Sequence, residues 1–379
     1  MAAPCVGNDR ARGPRLLRAA LLILPAVFLW AGLANVASAS HMPIGPCSPG
    51  YESVKNVDLD TYFDGKHDLT ICLGADLEDF ADHDVQWSNM SHVTVRSAPG
   101  SWRGIRSRIW IDGTSSDVTL YGLTLDAGGF DAVAGQSGVA INGDRVALIR
   151  NMITNRYGVA GSCIINDGAY GVADDTLISQ NRIFDCGMDE SHDHGIYTNS
   201  MNRPVVNANW IYENAGRGIN LGPYTHAGRF TRNVIADNCA NPLGGVNDCS
   251  ANVIYWGESS SDALNNNTVA SPHNRYNLAG CDFGPDTPDC PAWSGSNNLV
   301  SRSCFYSTVS GYSGDPLDSG ISPGWKFKFG SVDEPTITVT DPQFSNPHTL
   351  VHARRNYRIP PSNPCAGYQP QVTVGPPAP

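Results

Sequence analysis

The segment VALIRNMI at Val146–Ile153 returns, with small changes, as TLISQNRI at Thr176–Ile183, PVVNANWI at Pro204–Ile211, GRFTRNVI at Gly228–Ile235 and DALNNNTV at Asp262–Val269. The shared template is apolar-x-apolar-x-x-Asn-x-apolar. VTVRSA at Val93–Ala98 and VTLYGLTL at Val118–Leu125 fit it without the asparagine, and NLVSRSCF at Asn298–Phe305 is a weaker copy around Val300. Aligning the third column places Val95, Leu120, Leu148, Ile178, Val206, Phe230 and Leu264 in one row, 24 to 34 residues apart. Alternation inside each copy marks strands with one buried face, and the unequal steps place insertions in the loops between copies. One copy alone cannot bury its apolar side; stacked copies can, each column packing on the same column one turn above and below. The expected fold is all-β, a parallel solenoid of about seven or eight coils.

The asparagines of the template, Asn151, Asn181, Asn209, Asn233 and Asn267, fall where the chain bends between two strands. Asparagine tolerates the left-handed backbone expected there. Stacked in register, their amides can form a ladder that satisfies polar groups which burial would otherwise leave unpaired.

Composition narrows the class. The first 39 residues read as an export signal: Arg10, Arg12, Arg15 and Arg18 precede the apolar run AALLILPAVFLWAGLANV, which closes on the small-residue site ASA at Ala37–Ala39. An uncleaved anchor is the competing reading, since the run is nearly long enough to span a bilayer; the small-residue ending favours cleavage. That segment holds four of the 25 basic and one of the 36 acidic residues, so the remaining chain is about 14 units negative. Nucleic acid is thereby excluded as a natural partner, and a polyanionic substrate would need a local cationic patch or a bound cation. Of eleven cysteines, Cys5 lies in the signal and ten remain, an even number suited to disulfides in an exported chain. Cys239 with Cys249 and Cys281 with Cys290 bracket short loops, and Cys163 and Cys186 lie near one repeat length apart. Cys47 with Cys72 and Cys304 with Cys365 complete the expected set. The protein is expected to be secreted, monomeric and free of the membrane once the signal is removed.

With this ladder the chain resembles the right-handed parallel β-helix proteins of the pectin-lyase-like superfamily over residues 85–310. DPQF at Asp341–Phe344 and YRIPPSNPC at Tyr357–Cys365 look like the closing segment of secreted bacterial members. The expected organisation is a signal at 1–39, an N-terminal cap at 40–84, the β-helix at 85–310, a C-terminal cap at 311–366 folded over the far end, and a disordered tail at 367–379. The superfamily includes lyases, hydrolases, epimerases, esterases and non-enzymatic adhesins, so the resemblance specifies fold more than activity.

A second short strand follows each loop: GVAIN, GSCIIN, HGIYTN, RGINL and NVIYW. Aligning Ile196, Ile219 and Val253 as inward leaves Tyr197, Asn220 and Ile254 outward. The long loops FDCGMDESHD and ADNCANPLGGVNDCS rise beside this sheet. In families resembling this one, the groove beside the corresponding sheet is where oligosaccharide binds. His194 stands at the turn into its strand, level with Arg217 one coil on, while Tyr197 is level with Asn220. Asn199, Asn220, Tyr224, His226, Trp256 and Glu258 extend the candidate substrate surface.

These residue types suit β-elimination on a uronic acid. The sugar carboxylate must be neutralised, the C5 proton removed and the leaving oxygen protonated. Arg217 is the expected neutralising cation, His194 the base, Tyr197 the acid and Asp193 the group that orients the imidazole. Epimerases of similar fold use closely related chemistry, so the same set serves either outcome. A histidine that only holds its loop is the competing reading. No cofactor is demanded, although Asp189, Glu190 and Asp193 offer hard oxygen ligands for calcium. His192 and His194 lack a third ligand at a telling spacing for a transition metal. Hydrolysis would need two carboxylates across the scissile bond; Asp174 and Asp175 are adjacent, lie on another face and read as a polar turn. The polygalacturonase motifs are absent, and WIDG at Trp110–Gly113 lacks the histidine of the common pectate lyase signature. The expected function is thus a polysaccharide lyase or uronate epimerase acting on an acidic polysaccharide. A non-catalytic glycan-binding or adhesin β-helix, or a glycoside hydrolase of the same fold, is the alternative.

Overall fold

The row of apolar residues aligned by sequence is a row in space. Val95 pairs with Leu120, Leu120 with Leu148, Leu148 with Ile178, Ile178 with Val206, Val206 with Phe230, Phe230 with Leu264 and Leu264 with Val300, every pair parallel. The structure, a computed structural model, describes residues 47, 53–54, 57–79, 84–128, 137–157, 161–188, 193–240, 249, 251–255, 257–271, 276–280, 295–307, 320–321, 325, 329–347 and 355–371. The chain divides into Met1–Ser40 and His41–Pro379. The first unit, with the expected export signal, lies outside the described residues.

Three parallel sheets run the length of the solenoid. The first has 11 strands, from Ser53–Val54 to Gly330–Val332; the second has 10, from Leu77–Glu78 to Thr338–Val339; the third has 8, from Val85–Trp87 to Tyr276–Gly280. Each coil visits the three in turn, and the fold is a right-handed parallel β-helix. Inward side chains of all three sheets form one continuous core that includes Ile71, Val95, Ile153, Ile178, Ile196, Val206, Ile219 and Phe305. Each such aliphatic side chain contributes roughly 1.5–3 kcal/mol by leaving water.

The asparagine ladder is formed through both ends of each amide. The Oδ1 of Asn181, Asn209, Asn233 and Asn267 accepts the backbone N–H of Asn151, Asn181, Asn209 and Asn233 respectively, at 2.8 to 3.0 Å. The Nδ2 groups of Asn151, Asn181, Asn209, Asn233 and Asn267 donate to the carbonyls of Leu120, Leu148, Ile178, Val206 and Phe230. The left-handed backbone expected of these asparagines belongs instead to the residue before each: Arg150, Gln180, Ala208, Arg232 and Asn266 have φ between 55° and 58°. The amide must point inward to reach its neighbours, so the preceding residue takes the bend and sends its side chain out.

Two further corners repeat the bend. Arg145, Asp175, Arg203, Ala227, Ser261 and Asn297 turn left-handed ahead of the first sheet, and Asp185, Glu213 and Asp237 do so after the second. Beyond the latter runs a second ladder: Asn214 Oδ1 accepts from Cys186 N–H, Asn238 Oδ1 from Asn214 N–H, and Asn252 Oδ1 from Asn238 Nδ2. Asp174 and Asp175 are held from the next coil by Arg203, which bonds both carboxylates, in keeping with a polar turn.

The ends differ from the expected layout. His67–Leu73, Leu77–Glu78 and Val85–Trp87 place residues of the expected N-terminal cap in all three sheets, and the short helix Leu59–Tyr62 leads into Phe63, stacked on Trp87 at 4.2 Å. At the other end Trp325 and Phe329 pack on Tyr255. The closing segment, expected over that end, lies along the flank of the second sheet. Tyr357 packs on Tyr212 at 4.7 Å and on Phe344 at 5.0 Å, and its hydroxyl donates to Asp237 at 2.8 Å. The cause is an apolar outer patch of Phe184, Trp210, Tyr212, Val234 and Ala236, which this strap covers. Residues 367–371 of the expected disordered tail belong to it: Gln369 accepts from the N–H of Ile359 and donates to its carbonyl. Disulfides join Cys47–Cys72, Cys163–Cys186, Cys239–Cys249 and Cys304–Cys365; Cys281 and Cys290 lie outside the described residues. No helix among the described residues is long and apolar enough to cross a membrane.

Candidate functional site

The outward row of the third sheet reads Gln86, Trp110, Ala140, Ile165, Tyr197, Asn220, Ile254 and Ala279, one residue per coil. Ile254 and Ala279 are buried together with Ala251 and Tyr276. The open part of the face therefore stops at Tyr197, and Asn220, 8% exposed, is already covered.

The polar cluster sits at that stop. His194 precedes the strand Ile196–Thr198 and is only 1% exposed. Its Nδ1 lies 3.2 Å from the backbone N–H of Arg217 and must accept from it, since that donor is fixed by the main chain. A neutral imidazole accepting at Nδ1 carries its proton on Nε2. Nε2 lies 2.8 Å from the side-chain amide of Asn220, and it donates to the amide oxygen when that group is turned to satisfy both partners. The His194 backbone N–H donates to Ser162 Oγ at 3.0 Å. The imidazole is thereby held at both nitrogens and its backbone at a third point.

Tyr197 stands edge-on to this ring, with centroids 5.7 Å apart, and is half-buried. Burial first, and the Asp167 carboxylate second, push its phenol above the ordinary tyrosine value, while Arg217 pulls the other way. The phenol is protonated at neutral pH. Gly222 makes room for it: a Cβ there would sit 2.3 Å from Tyr197 Cε2. Arg217 is 1% exposed, and its cation is near enough to Tyr197 to act on the phenol.

Asp193 departs from the open rim expected of it. It is 2% exposed, and its carboxylate accepts from the N–H of Gly161 at 2.6 Å and of Met188 at 2.7 Å. It acts as a strut between two loops. Asp189, Glu190, His192 and Trp256 lie outside the described residues. Among the described residues no group of three or more His, Cys, Asp or Glu side chains could hold a metal ion.

The structure thus brings His194, Tyr197, Arg217 and Asn220 together. The remaining candidates occupy the corner where the third sheet leads back to the first. Asn199 Oδ1 accepts from Ser200 Oγ, His226 Nδ1 meets Ser260 Oγ at 2.8 Å, Tyr224 is 51% exposed and Glu258 is exposed. The sequence reading passed over Ser162, Gly222 and the second ladder. Their signal is weak because the variable loops interrupt the repeat just there.

The chain matches no family model and no curated protein at a significant level. Among solved structures it is similar to the pectate lyase Pel9A, with 8% identity, 78% of this chain and 80% of that one covered, and a TM-score of 0.40. It is also similar to the Dettilon tailspike protein, with 14% identity, 67% and 57% covered, and a TM-score of 0.38, so the chain spans little more than half of that protein. A third is the A-module of the Azotobacter vinelandii mannuronan C-5 epimerase AlgE6, with 13% identity, 72% and 91% covered, and a TM-score of 0.23.

Proposed function

We propose that this protein is an exported carbohydrate-active β-helix that moves the C5 proton of a uronic acid residue, as a lyase or an epimerase of an acidic polysaccharide. The observation that carries the reading is the convergence of Tyr197, His194, Arg217 and Asn220 where the open face of the third sheet ends. Of these four, Tyr197 is the half-open titratable group; its phenol, protonated at neutral pH, serves as the acid, and the C5 proton is taken by a base outside these four. Arg217 supplies positive charge where the sugar carboxylate must be neutralised, in a setting dry enough for that charge to act strongly. Asn220, next to Tyr197 in register, orients the carboxylate. His194 departs from the role expected of it: with Nδ1 committed to Arg217 and its proton on Nε2, it positions Asn220 and the Arg217 backbone rather than acting as the base. The four disulfides among the described residues suit work outside the cytosol.

Tyr197→Phe removes one hydroxyl and leaves the packing. It is expected to lower turnover on uronate polymers by about 100-fold or more, with thermal unfolding unchanged. Unsaturated products, read by ultraviolet absorbance, would identify a lyase; proton exchange at C5 without chain cleavage would identify an epimerase. The burial of His194 and Arg217 favours a second reading, a non-catalytic glycan-binding module. It predicts binding without product, and wild-type turnover of any uronate polymer rejects it.

A further inference from the structure

The WIDG stretch is left unused by the site at Tyr197. Trp110 occupies the same outward row, three strand spacings away, about 14 Å along the face. Tyr170, from a turn two coils further on, folds back to meet it: the ring centroids are 5.0 Å apart at 64°, forming an open corner. Asn142, 2% exposed, builds this corner. Its Oδ1 accepts from the Trp110 indole N–H at 3.0 Å, and its Nδ2 donates to the carbonyls of Asp167 and Gly171 that flank the turn Gly168–Tyr170. One buried amide thus fixes both rings.

The corner nonetheless faces solvent. Tyr170 is 61% exposed and the neighbouring Val172 is 50% exposed. A phenol held out by a buried hydrogen-bond frame adds nothing to the core, and an exposed aromatic in a rigid setting is a surface for a ligand with an apolar face. Ala140 and Ile165 form a low floor from here to Tyr197. The adjoining charge is negative. The carboxylate of Asp112, two residues after Trp110, accepts from Gln86, Ser88 and Thr114, and Asp167 caps the turn through the Ala169 N–H. A uronate ring would be repelled here. An uncharged pyranose can lay its C–H face on the rings and donate a hydroxyl to the half-buried Asp167, whereas Asp112, filled by its protein donors, contributes only its charge.

We propose that the Trp110–Tyr170 corner is a distinct subsite for an uncharged sugar, so that the glycan bound along this face carries neutral residues beside its uronic acids. The sugar as occupant rests on the proposed function. The rigid aromatic corner and the Asp112 carboxylate beside it carry the choice of a neutral one; Asp167, which also acts on Tyr197, does not separate the two places.

The test titrates the full-length protein with neutral tetrasaccharides (xylo-, manno- and cello-tetraose) and with tetragalacturonate and tetramannuronate, following tryptophan fluorescence and calorimetry. The variant is Tyr170→Ala. At least one neutral tetraose should bind, and Tyr170→Ala should weaken it about tenfold or more. Neutral binding indifferent to Tyr170→Ala, or no neutral binding at all, overturns the subsite. Uronate turnover that survives either of those results keeps the proton-transfer reading. Neutral binding that depends on Tyr170 in a protein without uronate turnover keeps the subsite and sinks the lyase or epimerase.

Discussion

Single residues show how burial decides chemistry in this molecule. Asp262 is 1% exposed; its Oδ1 accepts from the Gly228 N–H at 2.6 Å, while its Oδ2 has no hydrogen-bond partner among the described residues. Burial pushes the carboxyl up to about 8, against an ordinary value of 3.8. Because the native pKa is the raised one, the folded state keeps a proton that the unfolded state has lost. Stability is fully present below about pH 4 and falls as pH rises toward 8, by about 1.4 kcal/mol per pH unit at most. Asp262→Asn should flatten that slope and stabilise the protein at pH 7.5, as read by urea unfolding at pH 5 and pH 8. Equal slopes in the two proteins would contradict this account. Gly222→Ala acts at the same scale: its added methyl meets the Tyr197 ring, so turnover should fall in parallel with Tyr197→Phe while the fold persists. The roles of His194 and Asp193 were not legible from their positions. Adjacency in sequence suggested a carboxylate-imidazole pair, but sequence carries no sign that Gly161, Met188 and the Arg217 backbone would claim their polar atoms.

Among elements, the ladder is the strongest test of the packing argument. Asn209 accepts from the Asn181 N–H and donates to the Ile178 carbonyl in a fully buried rung. Asn209→Ala leaves both groups without a partner, and the cost should be about 3 kcal/mol in chemical denaturation. A loss below about 1 kcal/mol would mean that the rung is easily replaced by water. Outward Arg232 makes the contrast: Arg232→Lys should change stability by less than about 0.5 kcal/mol. The ladder was readable because one residue type recurs at one column. The bend before it was not, because residues as different as Arg150, Gln180 and Ala208 fill it. The strap was half legible: its closing motif stands out, but its target is an apolar patch contributed by several coils.

For the molecule as a whole, the strap and the Cys304–Cys365 bridge tie the last coils to the middle of the solenoid. That bridge spans 61 residues and should contribute about 4 kcal/mol in the chain-entropy model. Replacing both cysteines with serine should speed hydrogen exchange over 341–371 and expose the Trp210–Tyr212 patch to a hydrophobic dye, with the central coils still protected. Uniform loss of protection would show that the solenoid unfolds as one unit, against the neighbour-by-neighbour stability expected of stacked repeats. The stacking also sets a length scale. The laddered coils present one another with like edges and like bends, so an added coil lengthens the tube by one increment of about 4.8 Å. Placed between Trp110 and Tyr197, such an insertion would move the two apart by that increment. Evolution can therefore retune the reach of this protein as one resets a caliper, by whole notches.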